Sequence, residues 1–333
     1  MPRTLRLVRI LFVYSRPAKF VRVDLELLRE RWEVDEWAQP GRYANPLAVL
    51  RAVRRADLVF GWFASWHTFW PVTIAWLLRK PSLLVVGGFD TANVPEIAYG
   101  YQQGGARRQL ARWIIHRATR LVTNSQFTRG EVEALGVPVE RIAVVYHGFE
   151  DTFGELPTAP REPVALTVSN VAWLTLERKG LLPFVEAAPF APELRFVLVG
   201  EWTDGAIDFL REVGGANVEF TGRVSDEDLA SWYRRASVYV QASRHEGFGM
   251  TVAEAMLGGC IPVVTAAGAL PEVAGDVGEH VDAPRPDRIA DAVRRGHEAR
   301  PDERARARHR VLERFPLEAR RAGLYAEIER LLA

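Results

Sequence analysis

Residues 241–254 read QASRHEGFGMTVAE, and the reading of the whole chain turns on this stretch. The apolar run at 238–241 has the length and composition of a buried strand. The segment 249–257 is spaced as a helix. Gly247 and Gly249 bracket Phe248 at the turn between them. Strand, glycine turn and helix, in that order, form half of a βαβ unit. Glycines let backbone amides approach a ligand, and a helix N-terminus favours an anion, so a phosphate fits here. Glu246 precedes the helix and Glu254 lies inside it. Carboxylates repel a phosphate, so these two face neutral partners, and sugar hydroxyls are the natural ones.

The same alternation extends in both directions. Before the stretch, apolar runs at 7–13, 58–63, 82–86, 120–123 and 142–146 predict strands. Amphipathic segments at 23–31, 47–55, 71–78, 107–117 and 128–135 predict the helices between them. The pattern pauses over 152–163, where Gly154, Pro157, Pro160 and Pro163 cluster as a linker. It restarts with strands at 164–168, 195–199, 218–220, 238–241 and 261–264. Helices are expected at 181–188, 206–212, 226–235, 249–257 and 286–295. Short apolar runs alternating with helices imply parallel sheets covered on both faces. The fold class is therefore α/β, with two Rossmann-like doubly wound domains facing across a cleft. Their expected bounds are 1–153 and 164–315. A final helix over 316–333, after the break at Phe315-Pro316, is expected to cross back to the first domain.

Composition narrows the function. Over 333 residues, 48% hydrophobic and 26% charged content describes an ordinary globular chain. A single cysteine, Cys260, excludes an intrachain disulfide and a Cys-built zinc site, and fits a reducing, cytoplasmic setting. Residues 1–150 hold 21 basic against 13 acidic side chains, and the remainder holds 22 against 29. A basic first half meets an anionic surface or substrate. The start of the chain has arginines and an apolar run but no small-residue cleavage site, so it predicts a first strand and not a signal peptide. The 21 uncharged residues at 58–78 are long enough to span a bilayer. Gly61, Ser65, His67, Thr68 and Pro71 inside that run favour a strand, a loop and a helix instead. His67 and His116 are read as structural. No His, Asp and Glu cluster has metal-ligand spacing.

Glu246 and Glu254 enclose seven residues, with Gly247-Phe248-Gly249 and Glu254-Ala255-Met256 around them. Thr221-Gly222-Arg223-Val224 lies upstream. Gly258-Gly259-Cys260-Ile261-Pro262 and Gly268-Ala269-Leu270-Pro271-Glu272 follow. This order resembles the retaining nucleotide-sugar glycosyltransferases of the GT-B fold with a Glu-x7-Glu motif, the family 4-like group 1 enzymes. The resemblance implies that Glu254 binds the donor ribose and Glu246 the donor sugar. It implies that the amides of Gly247, Phe248, Gly249, Met250 and Thr251 line the diphosphate or sugar, and that Val224 lies near the base. Lys179-Gly180 matches the family's basic clamp, and Lys179 is one of only three lysines. The arginine usual before it is replaced by Val168-Ser169-Asn170, which leaves Arg178 or Arg223 as the second cation. The loop after the first strand, Ser15-Arg16-Pro17-Ala18-Lys19-Phe20, lacks the family's glycines.

Asp90, after Gly87-Gly88-Phe89, is the candidate to orient the acceptor or contact the sugar. Asp90, Lys179 and Glu246 are thus the catalytic candidates. The resemblance implies transfer of a hexose-type sugar from a UDP- or GDP-sugar to a hydroxyl acceptor, with retention and without a metal. A lipid-linked or polyanionic acceptor is expected from the basic first half. Weak docking on an anionic membrane surface is expected from that charge and from a Trp-rich loop over 62–70, which would place the enzyme peripherally at the inner membrane face. No nucleic-acid partner is expected. A sugar-nucleotide 2-epimerase of the same fold and a non-catalytic sugar-binding module stay open as alternatives.

Overall fold

The computed structural model describes residues 8–156 and 160–333. Leu7 of the first expected strand, the residues before it and Pro157 of the expected linker lie outside the described residues. The chain divides into two compact units. One holds residues Met1–Gly148 with Leu317–Ala333, and the other holds Phe149–Pro316.

The first unit contains β1 (Arg9–Tyr14), α1 (Lys19–Arg29), β2 (Glu33–Ala38), α2 (Pro46–Arg55), β3 (Leu58–Trp62), α3 (Trp66–Leu77) and β4 (Ser82–Val86). It continues with α4 (Gly105–Arg117), β5 (Arg120–Thr123), α5 (Gln126–Ala134) and β6 (Ile142–Val144). The six strands run in the order β2-β1-β3-β4-β5-β6, and every pairing is parallel. Successive side chains leave a strand on opposite faces, so each strand feeds two cores. Ile10 and Phe12 pack with Leu25 and Leu28 of α1, and Leu11 and Val13 pack with Val49 and Val53 of α2. The sheet changes direction between β1 and β3, which makes their carboxyl ends the switch point where ligands collect in such folds.

The second unit contains β7 (Glu162–Val168), α6 (Trp173–Arg178), α7 (Leu181–Ala187), β8 (Arg195–Val199), α8 (Ala206–Val213), β9 (Val218–Gly222) and α9 (Asp226–Arg235). Then come β10 (Ala236–Gln241), α10 (Met250–Leu257), β11 (Ile261–Thr265), α11 (Leu270–Ala274), β12 (Glu279–Val281), α12 (Pro286–His297) and α13 (Pro301–Arg314). Its parallel strands run β12-β11-β10-β7-β8-β9. Counted from the first strand of the unit this is the dinucleotide-fold order, with its switch point between β7 and β10. The last helix, α14 (Leu317–Leu332), belongs to the first unit, where Leu324 and Ile328 join the core around Phe12 and Trp62.

The expected Trp-rich loop is not there. Trp62 ends β3 at 1% exposure, and His67 lies buried in the first turn of α3. The helix starts five residues before Pro71 because the Thr68 hydroxyl oxygen accepts from the Ser65 amide at 3.1 Å, as a capping box does. The lipid-docking argument built on that loop therefore falls. The 58–78 run is split between β3 and α3, and among the described residues no helix is long and apolar enough to cross a membrane.

Candidate functional site

At the switch point of the second unit, β7 ends at Val168 and β10 at Gln241. The short α6 follows β7 and ends on Lys179, and Gly180 takes a left-handed conformation with φ +67°. A Cβ there would lie 2.0 Å from the Ala242 carbonyl oxygen, so only glycine lets this turn press against the segment after β10. The Arg244 amide donates to the Arg178 carbonyl at 2.9 Å and locks the two segments together. The result is a direct pair, Lys179 Nζ to Glu246 Oε2 at 2.6 Å. Arg178, half-buried, is the neighbour of this lysine.

A chain of buried side chains stands behind Glu246. The Tyr239 hydroxyl donates to Gln241 Oε1 at 3.0 Å, and Gln241 Nε2 donates to Ser243 Oγ at 2.7 Å. Ser243 Oγ in turn donates to Glu246 Oε2 at 3.4 Å. Thr251 at the start of α10 also donates to Gln241 Oε1, at 3.2 Å. Burial pushes the Glu246 carboxyl up, but the charge and hydrogen bond of Lys179, with Arg178 and His245 beyond, hold it below the ordinary carboxylate value. Tyr239, Gln241 and Ser243 had no place in the sequence reading. Their signal was weak: a tyrosine and a glutamine inside an otherwise apolar strand.

Gly249 caps α10 with φ +104°, a conformation that frees the helix's first amides to point out of the turn. Met250 and Thr251 open the helix, and Glu254 sits half-buried one turn further in. Phe248 presents its backbone and not its ring, because the ring is buried beside Phe149 at 6.1 Å and Phe315 at 5.3 Å. Arg223 and Val224 follow β9, two strands away from the switch point. Arg223 is 79% exposed and 3.8 Å from Glu201. The structure thus groups Arg178, Lys179, Glu246 and the 247–251 turn, and leaves Arg223 at the sheet edge.

In the first unit, Asp90 departs from the expected role. It is fully buried, accepting from the Ala64 amide at 2.9 Å and the Gly87 amide at 3.2 Å. Its carbonyl accepts from Gln102 Nε2 at 2.8 Å. Each carboxylate oxygen accepts from a backbone amide, so Asp90 braces the loop after β4 against the segment after β3. Burial pushes its carboxyl up to about 6 against the pull of those amides. Between its ordinary value and about 6, the folded protein keeps a proton that the unfolded chain has lost. Asp90 therefore makes stability fall as pH rises through that window and levels off above it. Asp90→Ala is expected to remove this decline, read from urea unfolding at several pH values between about 4 and 7. An unchanged slope in the variant would show that the carboxyl ionises normally.

Comparisons with known proteins follow this division. Residues 10–153 match the family model described as Glycosyltransferase Family 4, and residues 162–298 match that described as Glycosyl transferases group 1. The chain is 32% identical over 181 residues to the O-antigen chain mannosyltransferase B of Escherichia coli, covering 48% of this chain and 47% of that one. It is 29% identical over 205 residues to the lipopolysaccharide core biosynthesis mannosyltransferase LpcC of Rhizobium leguminosarum, covering 55% and 56%. The chain thus spans about half the length of these relatives. Among solved structures, HepE of Anabaena in complex with UDP aligns with a TM-score of 0.76 at 16% identity, covering 97% of this chain and 100% of that one. The sucrose-phosphate synthase of Thermosynechococcus elongatus aligns with a TM-score of 0.76 at 18% identity, covering 97% and 99%. At such identities the likeness is one of fold.

Proposed function

The chain belongs to the group 1 glycosyltransferases of family 4 type, and on that premise we propose that it transfers a hexose-type sugar from a UDP- or GDP-sugar to a hydroxyl acceptor with retention of anomeric configuration. One observation carries the reading: the Lys179–Glu246 pair stands beside the amide-lined turn of α10 at the switch point of a dinucleotide-type sheet. Breaking the bond between anomeric carbon and diphosphate builds negative charge on the leaving group. In this reading Lys179, the amides of residues 247–251 and Arg178 take up that charge. Glu254 holds the ribose hydroxyls and Glu246 the hydroxyls of the sugar. Val224 approaches the base. The acceptor hydroxyl attacks from the leaving-group face, and a phosphate oxygen takes its proton, so no side-chain base is required. Asp90 has no contact with substrate in this scheme and keeps the loop after β4 in shape. The two mannosyltransferase relatives support mannose among the hexoses to be tried first.

Two carboxylates with separate roles make a sharp test. Glu254→Ala is expected to weaken free UDP or GDP together with the sugar-bearing donor, because the ribose loses its acceptor. Glu246→Ala is expected to leave free nucleotide nearly unchanged and to weaken only the sugar-bearing donor or its turnover. Calorimetry with each ligand separates the two. The reverse pattern would place the donor the other way round. Turnover is expected to require an acceptor and to survive chelator. Loss of activity in chelator, restored by a divalent ion, would add a metal to the scheme.

A further inference from the structure

A hollow of about 350 Å³ opens within the first unit at the carboxyl ends of β1 and β3, the switch point of that sheet. Arg16 follows β1, Arg42 follows β2, Arg107 lies in the first turn of α4, and all three line it. No aspartate or glutamate is among the lining residues. None of the three arginines forms an ion pair among the described residues. Two are held by aromatic rings instead: the Arg42 guanidinium lies 5.7 Å over Trp66, and that of Arg107 lies 5.8 Å over Tyr101. The Tyr101 hydroxyl is itself fixed at 3.2 Å from Ser65 Oγ. Among the described residues, unpaired exposed arginines occur elsewhere in the unit, Arg51, Arg54 and Arg55 on α2 among them, but those lie along one helix, whereas Arg16, Arg42 and Arg107 come from three separate segments to one concave site.

Cations left without counter-charge in a concave site focus the field outward and draw in an anion. A ring under a guanidinium fixes its plane without neutralising it. Planar donor forks of this kind match phosphoryl oxygens two at a time. A single carboxylate needs one such fork, whereas three arginines lining one hollow suit a group with several oxygens.

We propose that this hollow binds a phosphoryl group carried by the acceptor, so that the acceptor is a phosphorylated sugar or a sugar linked through phosphate to a lipid. The word acceptor rests on the transferase reading above; the phosphoryl site itself does not. The shared chemistry is the phosphate ester.

The test uses the full chain. Hexose 6-phosphate, unphosphorylated hexose, UDP and GDP are titrated calorimetrically into wild type, Arg42→Ala and Arg107→Ala. Phosphatidylcholine vesicles with and without a polyprenyl phosphate form a second arm. The phosphorylated sugar or the vesicle carrying the polyprenyl phosphomonoester is expected to bind wild type; the plain hexose and the phosphatidylcholine-only vesicle, whose phosphodiester is masked by choline, are not. Each alanine variant is expected to weaken that binding about 10-fold. Arg42→Lys is expected to recover part of it, because it keeps the charge and loses the fork. UDP affinity is expected to be unchanged in all variants. Binding in the sugar arm alone assigns a soluble acceptor, and binding in the vesicle arm alone assigns a lipid-linked one. Both outcomes support the site. Equal binding of phosphorylated and plain probes, or no response to the arginine variants, overturns it. So does a loss of UDP affinity with unchanged phosphosugar affinity, which would hand these arginines to the donor. Failure of both UDP and GDP to bind wild type, with the phosphosugar still bound, strikes the donor reading and leaves the phosphoryl site standing.

Discussion

Lys179→Ala is expected to lower turnover by about 10- to 150-fold, the largest loss of any single substitution at the donor site, because it removes a charge-assisted contact worth ~1.5–3 kcal/mol. The charge matters most as the diphosphate departs, so kcat is expected to suffer more than the affinity for free nucleotide. The structure adds a second consequence. Without donor, Lys179 Nζ rests 2.6 Å from Glu246 Oε2 and offsets the burial of that carboxyl. In the alanine variant burial prevails, and the Glu246 value rises. A carboxyl with a higher value takes its proton at higher pH, so the acid limb of the pH–rate profile is expected to move upward. Lys179→Arg keeps the charge but not its position, and is expected to fall between. An alanine variant with near-wild-type kcat and an unmoved acid limb would make Lys179 an ordinary surface residue.

The motif that carries this prediction was legible because it is local. Glu246, Gly247, Gly249 and Glu254 lie within nine residues, so the pattern is visible without any long-range pairing. The central strands were legible for a related reason. In a doubly wound sheet they are covered on both faces, so β3 and β4, buried at every position, read as uncharged and mostly apolar runs. β2 escaped the reading because it is an edge. Glu33, Asp35 and Glu36 interrupt it, and their partners, Arg9 and Arg29, come from other elements. The surroundings of Asp90 were hidden for the opposite reason. Its place after the glycines at the end of β4 suggested chemistry. Its direction is set by the Ala64 amide, 26 residues earlier, which no local pattern reveals. The arginines of the hollow in the first unit share that limit. Arg16, Arg42 and Arg107 are ordinary in a chain rich in arginine until the sheet order brings their loops together.

Nothing in the sequence joins Asp24 to Arg320, yet among the described residues their pair is the deepest in the first unit. Arg320 Nε and Nη2 donate to the two carboxylate oxygens of Asp24 at 2.9 and 2.7 Å, and each side chain is 1% exposed. Arg320 Nη1 also donates to Asn124 Oδ1 at 3.1 Å and to the Tyr146 carbonyl at 3.4 Å. One guanidinium thus ties α14 to α1 and to the ends of β5 and β6. Arg320→Ala strands the Asp24 charge in the core and is expected to cost about 3–5 kcal/mol. The double variant Asp24→Leu with Arg320→Met leaves no buried charge unpaired, so it is expected to recover most of that loss. Recovery stops short of complete because Asn124 and the carbonyl oxygens lose their donor. The damage falls on the first unit, while the proposed donor site lies in the second. Urea unfolding of Arg320→Ala is therefore expected to split into two transitions, with whichever of UDP or GDP binds, at saturation, raising only the later one by mass action. A single transition displaced by less than ~1 kcal/mol would mean that the bidentate pair contributes no more than an exposed one.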